Sequence, residues 1–401
     1  MKTRLSFFLL ACTMGLAPEF FLLPAQPAET TPEIQNLPDI IPDDSASDWV
    51  VDRFAGNSTA GPKFFQGPAR EVGGLGRCGA CALPDGRVLI PFHGGLAEVD
   101  TNGTLRLVSE EDVIFATTGQ VTANVAAYNP KDKHVYVPGA NCIRRLIERE
   151  DSPWQLDLVA GQPGVSGFAD GPAKAATFGR IDCLAINRRG TIFVLEGNQR
   201  IRLIENGQVS TLTSAVRAGG GLVDGPIKQA RFSMIGLGGN LCLGEYDDTL
   251  YLSDHWNFAV RRIDLKTMTV TTVAGLPKPK KGDGENLREK RYNRNCDGPA
   301  LTWASFNSGC AYVCWDPVHK NLWCGGPDEN RFRWLRNGEL RTVIGLKADK
   351  WPLDGINIPA QGVRMSWNAV VEVDAQGRAY LSCSAEPNGV WRAYNKKEVA
   401  P

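Results

Sequence analysis

The residues best suited to chemistry in this 401-residue chain are two histidines with acidic residues nearby in the sequence. His93 lies in the segment FHGG, and His255 lies in the segment SDHWN, directly after Asp254. Imidazole and carboxylate groups are suitable ligands for divalent metal ions. A divalent metal ion held by His93 and His255, with Asp254 or Glu196, would support a metal-assisted lyase or hydrolase reaction.

The sequence also supports a second interpretation, in which the same loops bind a partner without catalysis. The chain contains no HExxH motif, no nucleophile elbow and no glycine-rich phosphate loop. Binding of a protein, a peptide or a glycan is therefore the leading hypothesis, and the metal-assisted enzyme is the alternative. The candidate ligand-binding residues are His93, Glu196, Asp254, His255, Trp256, Asp328, Glu329 and Glu386.

These candidate residues belong to the loops of a repeated unit. In residues 183–212, CLAINRRGTIFVLEGNQRIRLIENGQVSTL, four short β-rich runs are separated by turn residues. This pattern predicts a four-stranded antiparallel meander. Copies of the pattern lie at about 78–109, 124–161, 183–212, 240–275, 310–345 and 370–398.

The copies must pack against one another, because a single sheet of this kind cannot bury both of its faces. We therefore predict an all-β fold, a six-bladed β-propeller of four-stranded antiparallel blades. The sixth copy lacks its fourth strand, whereas WVVDRFAG at 49–56 aligns with WQLDLVAG at 154–161, the fourth strand of the second copy. An N-terminal strand at about 48–56 is thus expected to complete the last blade and close the ring. The candidate loops would then share one face, around the mouth of a central channel.

A second repeated feature is an Asp-Gly-Pro turn followed by small residues and a phenylalanine. It occurs at 167–178, 221–232 and 295–306. Asp-Gly favours a tight turn and proline fixes its own φ angle, so the phrase is expected to connect one blade to the next. An Asn followed four residues later by an Arg also recurs in four copies, which indicates a structural ion pair.

The Asp-Gly-Pro phrase and the meander together resemble the NHL-repeat family of β-propellers over about residues 48–398. The resemblance implies the propeller fold, but it implies no single function, because one fold serves many activities. NHL proteins include protein-binding and RNA-binding modules. Related six-bladed propellers include amidating lyases, gluconolactonase-like hydrolases and strictosidine-synthase-like proteins. The metal-ligand pattern of the gluconolactonase-like enzymes does not map onto this sequence residue by residue.

The charge of the chain bears on its partners. Lys and Arg total 44, as do Asp and Glu, so the formal net charge is zero. A neutral chain lacks the general attraction for phosphate backbones, and we expect no nucleic-acid partner. We also expect a monomer, without a membrane span in the mature chain.

The N-terminal sequence is typical of an exported protein. Lys2 and Arg4 precede the apolar run LSFFLLACTMGLA, so residues 1–28 are predicted to be a signal peptide. A periplasmic or extracellular location follows, with a lipid anchor at Cys12 as the second choice. Residues 29–47 are acidic and rich in proline, and they are predicted to be a disordered linker before the propeller at 48–398.

Ten cysteines remain besides Cys12. Most of them lie in apolar runs, where cysteine behaves as a small hydrophobic residue, so buried thiols are the main expectation. The best candidates for a disulfide are Cys314 and Cys324, which lie symmetrically about the predicted turn DPVHKN. His134 and His319 lie in hairpin turns on the face opposite the candidate loops, and they are expected to be solvated.

Overall fold

Short β-strands and tight turns make up nearly all of the chain that the structure describes. The computed structural model describes residues 37–56, 66–73, 75, 78–92, 95–110, 126–149, 154–197, 200–213, 221–233, 240–275, 295–306, 309–326, 331–346, 357–363, 368–383 and 389–398. Short 3₁₀ turns lie at Ala46–Asp48, His255–Asn257 and Ala360–Gly362. Within these ranges no helix has both the length and the apolar character needed to cross a membrane.

The strands form six sheets, and each sheet is one blade. The first strand in the chain is β1 (Trp49–Ala55), which belongs to the sixth blade. Blade 1 consists of β2 (Gly67–Pro68), β3 (Cys81–Ala82), β4 (Val88–Phe92), β5 (Gly95–Val99) and β6 (Thr104–Ser109). Blade 2 consists of β7 (Ala127–Asn129), β8 (His134–Gly139), β9 (Cys142–Ile147) and β10 (Gln155–Gly161). Blade 3 consists of β11 (Gly171–Pro172), β12 (Ile181–Ile186), β13 (Ile192–Glu196), β14 (Arg200–Glu205) and β15 (Gln208–Thr211).

The second half of the chain repeats this organisation. Blade 4 consists of β16 (Gly225–Pro226), β17 (Leu241–Leu243), β18 (Thr249–Asp254), β19 (Ala259–Asp264) and β20 (Thr269–Ala274). Blade 5 consists of β21 (Gly298–Pro299), β22 (Tyr312–Asp316), β23 (Asn321–Gly325), β24 (Phe332–Arg336) and β25 (Glu339–Ile344). Blade 6 consists of β1 with β26 (Ile358–Pro359), β27 (Asn368–Val373), β28 (Ala379–Cys383) and β29 (Gly389–Asn395). The inner strands of the six blades are β3, β7, β12, β17, β22 and β27, and the outer strands are β6, β10, β15, β20, β25 and β1.

The six inner strands form a closed ring. Each inner strand contacts the inner strands of the blades on either side, and β27 contacts β3. Strand β1 pairs with β29, so that Trp49 lies opposite Asn395 and Arg53 lies opposite Trp391. The predicted six-bladed propeller and its closure by an N-terminal strand are confirmed.

The Asp-Gly-Pro phrase adds a short fifth strand to the blade that follows it. In blade 3, for example, Gly171 of β11 pairs with Val209 of the outer strand β15. The same pairing occurs in blades 4 and 5. The phrase therefore does more than connect blades, because it also covers the outer edge of the next sheet.

The aspartate of the phrase also holds a buried arginine. Asp170 accepts a hydrogen bond of 2.7 Å from Arg202, and it accepts two more of 3.0 Å from the backbone N–H and the hydroxyl of Thr211. The guanidinium of Arg202 lies 5.1 Å from the centre of the Phe178 ring, which packs between blades 2 and 3. The equivalent residues of blade 4 are Asp224, Arg261, Thr272 and Phe232. The repeated arginine is structural, as the sequence indicated.

Aromatic side chains attach β1 to the neighbouring blade 5. The ring of Trp49 lies 5.3 Å from that of Trp323 and 5.6 Å from that of Trp334, edge-on in both cases. Trp49 and Trp323 are fully buried. Burial of such rings contributes several kcal/mol, so this contact is a major part of ring closure.

His319 lies at the same junction. Its Nδ1 is 2.8 Å from the carboxylate of Asp316, and its Nε2 is 2.6 Å from the carboxylate of Glu398. The side chain is only 10% exposed and its ring packs against Trp49. The expectation of a solvated His319 is wrong, because the closing strand and the C-terminal segment cover this turn.

The end of the acidic, proline-rich segment is docked on blade 5. Pro42 forms a parallel bridge with Thr342, whose backbone also exchanges hydrogen bonds with Ile41 and Asp43. Asp43 is 6% exposed and accepts a hydrogen bond of 2.8 Å from the indole of Trp334. The predicted disorder is therefore wrong for the described part of this segment. The rest of it, the predicted signal peptide and Cys12 lie outside the described residues.

The ten cysteines that the structure describes are all buried free thiols, which confirms the main expectation. The predicted disulfide between Cys314 and Cys324 is wrong. Cys314 lies opposite Trp323 in the hairpin, and Cys324 lies opposite Val313. Successive side chains of a strand point to opposite faces, so this offset of one residue places the two thiols on opposite sides of the sheet.

Candidate functional site

A cavity of about 320 Å³ lies where the six inner strands converge, and we call it the channel cavity. Every inner strand contributes to its wall, near the end at which that strand turns into the second strand of its blade. The volume is at the lower end of the range for small-molecule sites. Two other clefts, of about 370 and 420 Å³, are formed by neighbouring elements only.

One residue of each inner strand occupies an equivalent position in the wall. Two residues separate each of them from the hairpin turn, and each lies opposite a residue of the second strand, as Cys81 lies opposite Leu89 and Glu372 opposite Tyr380. We call these residues the channel ring: Cys81, Ala127, Ala185, Cys242, Cys314 and Glu372. Five members carry a thiol or a methyl group, so the carboxyl group of Glu372 stands apart chemically.

Glu372 titrates near neutral pH. Burial raises its pKa to about 8; a hydrogen bond with the backbone of Val373 opposes this shift, and the carboxylate of Asp374 reinforces it. Asp374 itself is paired with Arg378, at 2.6 Å. Among the described residues, no basic side chain forms an ion pair with Glu372. At pH 7 its carboxyl group is therefore mostly protonated in the protein alone.

The three thiols of the channel ring are neutral and unreactive. Burial raises the pKa values of Cys81, Cys242 and Cys314 well above the usual range, and the charge of Glu372 acts in the same direction. The Cys81 thiol also hydrogen-bonds the backbone of Tyr128 in the next blade. A thiol that is not ionised is a poor nucleophile, so these groups supply a weakly polar surface and not a covalent chemistry.

Two aromatic residues, Tyr128 and Trp315, also line the channel cavity. Trp315 is held by stacking on Tyr251 of blade 4, with 6.0 Å between ring centroids and 10° between ring planes. The wall thus combines aromatic, aliphatic and thiol groups with one carboxyl group. This combination can enclose a small organic molecule and orient it through a single polar contact.

Glu196, one of the loop residues that the sequence singled out, lies towards the other end of the inner strand of its blade. Glu196 lies beside Ile181 at the start of β12, whereas Ile186 at the end of β12 lines the channel cavity. At about 3.3 Å per residue the two ends of this strand are roughly 16 Å apart. Glu196 therefore does not reach the channel cavity.

Two of the acidic residues that were predicted to bind a ligand form ion pairs with the repeated arginines. A carboxylate oxygen of Glu196 lies 3.0 Å from Arg202, and one of Asp254 lies 2.7 Å from Arg261, with all four side chains buried. Burial raises the pKa of Glu196 to about 7 and also raises that of Asp254, and the arginines oppose both shifts. These carboxylates take part in the packing of their blades.

His255 and Trp256 occupy the 3₁₀ turn that follows β18. The His255 ring is buried and meets the ring of Trp256 edge-on at 5.2 Å, while Trp256 is 48% exposed. The other predicted loop residues, His93, Asp328, Glu329 and Glu386, lie outside the described residues. No group of three or more His, Cys, Asp or Glu in the described ranges is arranged to hold a metal ion. The metal site at His93 and His255 stays a prediction.

The channel ring has a sequence signal that the loop-based prediction missed. Aligned on the first hairpin turn, the six copies read CALPDG, AYNPKD, AINRRG, CLGEYD, CWDPVH and EVDAQG, and the first letter of each is the ring residue. Glutamate replaces cysteine or alanine in one copy only. A group with a specific function is expected once in a repeat array, whereas packing groups recur.

Proteins of known structure share the fold of this chain. A protein of unknown function from Bacteroides thetaiotaomicron matches 86% of this chain and 75% of its own, with a TM-score of 0.59 and 13% identity. An auxiliary nutrient binding protein from the same bacterium matches 86% and 76%, with a TM-score of 0.55 and 11% identity. No protein-family model matches the chain, and no curated protein matches its sequence. At these identities the similarity supports the fold alone.

Proposed function

We propose that this protein is an exported, non-catalytic binding scaffold that holds a small ligand in the channel cavity. The proposal rests on the composition of the cavity wall, to which all six inner strands contribute. The described lining residues combine apolar groups with one carboxyl group, that of Glu372. Small-molecule sites typically join an apolar wall to a few well-placed polar groups.

Two further observations support a binding function. A propeller of similar fold is described as an auxiliary nutrient binding protein, and by this analogy we assign small-molecule binding here. The signal-peptide pattern of residues 1–28 supports export, with a lipid anchor at Cys12 as the second choice. The Asp-Gly-Pro phrases support repeats of the NHL type.

The loop-rich face is a second candidate site, for a protein, a peptide or a glycan. The observation that favours it is Trp256, a large aromatic side chain that is 48% exposed beside the buried His255. Exposed tryptophans commonly anchor binding partners. The metal-assisted alternative has no supporting observation among the described residues.

Two variants distinguish the channel cavity from the loop-rich face. Ala127→Phe places a large ring in the channel ring, whereas Trp256→Ala removes the exposed aromatic side chain. Binding of benzyl alcohol, benzyltrimethylammonium and benzoate would be measured by ligand-observed NMR, with thermal denaturation as the check on folding. We expect binding of at least one compound to be lost in Ala127→Phe and kept in Trp256→Ala.

The reverse result would assign binding to the loop-rich face and contradict the channel proposal. Absence of binding by the wild type to all three compounds would also contradict it. Should Ala127→Phe fail to fold, Ala82→Phe on the inner strand of the neighbouring blade 1 repeats the test.

A further inference from the structure

The chemistry of the channel ring indicates which ligands the channel cavity accepts. Glu372 is the ring member whose charged form is accessible near neutral pH, because its pKa is about 8. The thiols of Cys81, Cys242 and Cys314 stay neutral there, since burial holds their pKa values far higher. Any charge on this part of the wall is therefore negative and comes from Glu372.

The groups that face Glu372 do not compensate that charge. They are the thiols of Cys81 in blade 1, Cys242 in blade 4 and Cys314 in blade 5, and the carboxylate of Asp374 at the end of its own strand. Asp374 is occupied by its ion pair with Arg378. An ionised carboxylate in a confined site is stabilised only by a counter-charge or by hydrogen bonds, and a cationic ligand would supply the counter-charge.

The rest of the wall suits an organic cation better than a metal ion. Tyr128 and Trp315 line the cavity, and the faces of aromatic rings attract ammonium groups. Ala82, Leu243 and Val373 add aliphatic surface for an apolar body. A metal ion would require several converging ligands, and the described residues contain no such group.

We propose that the channel cavity selects a small organic cation, an ammonium group on a compact apolar body, whose charge is neutralised by the carboxylate of Glu372. The proposal rests on the proposed function, because it takes the channel cavity as the binding site. An anionic compound of the same size is repelled, and a neutral one gains contacts with the wall only.

Binding of such a cation releases a proton. The carboxyl group of Glu372 is mostly protonated at pH 7 in the protein alone, whereas the complex requires the carboxylate, so the proton passes to solvent as the ammonium group enters. The fraction of protein with an ionised Glu372 rises from about 1% at pH 6 to about half at pH 8, so affinity rises about 50-fold over this interval.

Calorimetric titration with benzyltrimethylammonium and benzyl alcohol tests the proposal. The cation carries a permanent charge, so any pH dependence between pH 6 and 8 comes from the protein. The variants are Glu372→Gln and the matched control Glu245→Gln. Glu245 is an exposed carboxylate next to Gly244 of the cavity wall, and it is already paired with Lys320 at 2.8 Å.

We expect the cation to bind the wild type and Glu245→Gln equally, and to bind Glu372→Gln at least tenfold more weakly at pH 8. The rise in affinity with pH should disappear in Glu372→Gln, and the affinity for benzyl alcohol should be the same in all three proteins. In buffers of different ionisation enthalpy, the wild type should release close to one proton per cation bound at pH 7.

The outcomes separate this proposal from the proposed function. If benzyl alcohol binds but the cation binds no more tightly, or binds Glu372→Gln equally well, the selection of cations is refuted and the binding scaffold stands. If neither of these compounds nor benzoate binds the wild type, the proposed function itself fails. If Glu372→Gln does not fold, the pH dependence of cation binding by the wild type tests the proposal. An affinity for the cation that is constant between pH 6 and 8 overturns the role of Glu372.

Discussion

Replacement of Glu372 by glutamine should stabilise the protein at alkaline pH, with no ligand present. Burial raises the pKa of this carboxyl group from an ordinary value of 4.5 to about 8. The unfolded chain therefore loses the proton near pH 4.5, whereas the folded protein keeps it until about pH 8. Because the folded state binds more protons in this interval, the contribution of Glu372 to stability is greatest below pH 4.5, falls between pH 4.5 and about 8, and is constant above that.

The magnitude follows from the size of the shift. One pKa unit corresponds to about 1.4 kcal/mol, so a shift from 4.5 to about 8 costs the folded state on the order of 5 kcal/mol above pH 8. Glutamine has nearly the same shape and no charge, and it removes this loss. The variant should exceed the wild type in free energy of unfolding by less than about 1 kcal/mol at pH 5 and by about 5 kcal/mol at pH 9.

Urea denaturation of the wild type, Glu372→Gln and Glu245→Gln at pH 5, 7 and 9 measures these differences. The control variant should follow the wild type, because the Glu245 side chain is exposed and its ion pair contributes little. The contributions of other titrating groups to the free energy of unfolding cancel in the difference between variant and wild type. A difference for Glu372→Gln that is the same at pH 5 and pH 9 would show that the carboxyl group is solvated, and would refute the claim that burial raises its pKa.

Three further predictions concern the packing of the blades. Arg202→Leu should cost about 3–5 kcal/mol in urea denaturation, because it leaves Glu196 buried without its counter-charge; a loss below 1 kcal/mol would contradict this. At His319 burial disfavours the charged ring, but Asp316 and Glu398 outweigh it and raise the pKa above 6.5. The stabilisation by His319 is thus complete below pH 6.5 and is lost as the pH rises through the raised pKa. His319→Gln should therefore lower the free energy of unfolding more at pH 6 than at pH 9. Equal losses at the two pH values would argue against the pairing. Trp49→Ala should lower the free energy of unfolding by about 3–5 kcal/mol, and Trp49→Phe by less; similar small losses for both would contradict the role of this side chain in ring closure.

The fold could be predicted because its evidence is repeated along the chain. Each copy of the meander shows the same alternation of short strands and turns, and six weak local signals reinforce one another. The closing strand could be identified because the outer strands of different blades occupy equivalent positions, and equivalent positions require similar side chains. Trp49 on the outer strand of blade 6 is as fully buried as Trp154, which precedes the outer strand of blade 2.

The docking of the N-terminal segment could not be predicted in this way. It depends on particular partners, such as the indole of Trp334 that donates to Asp43, and these partners lie almost three hundred residues away in the sequence. The composition of the segment is that of a linker, and its backbone finds distant hydrogen-bond partners at the edge of blade 5.

The candidate site was harder to predict, because register and orientation decide it. The spacing of Cys314 and Cys324 is symmetrical about a turn, but an offset of one residue in the hairpin sends them to opposite faces. Glu196 and Asp254 have the chemistry of ligands, yet the buried arginines of their own blades engage them. Glu372 lies in an apolar run whose position in the wall became evident only when the inner strands were in place.

Binding in the channel cavity is tested most directly by a crystal structure of the protein with benzyltrimethylammonium. We predict that the compound occupies the channel cavity with its ammonium group against the carboxylate of Glu372. A structure at saturating concentration with the compound beside Trp256 alone would contradict the proposed site, and a structure with none in the channel cavity would contradict the selection of cations there.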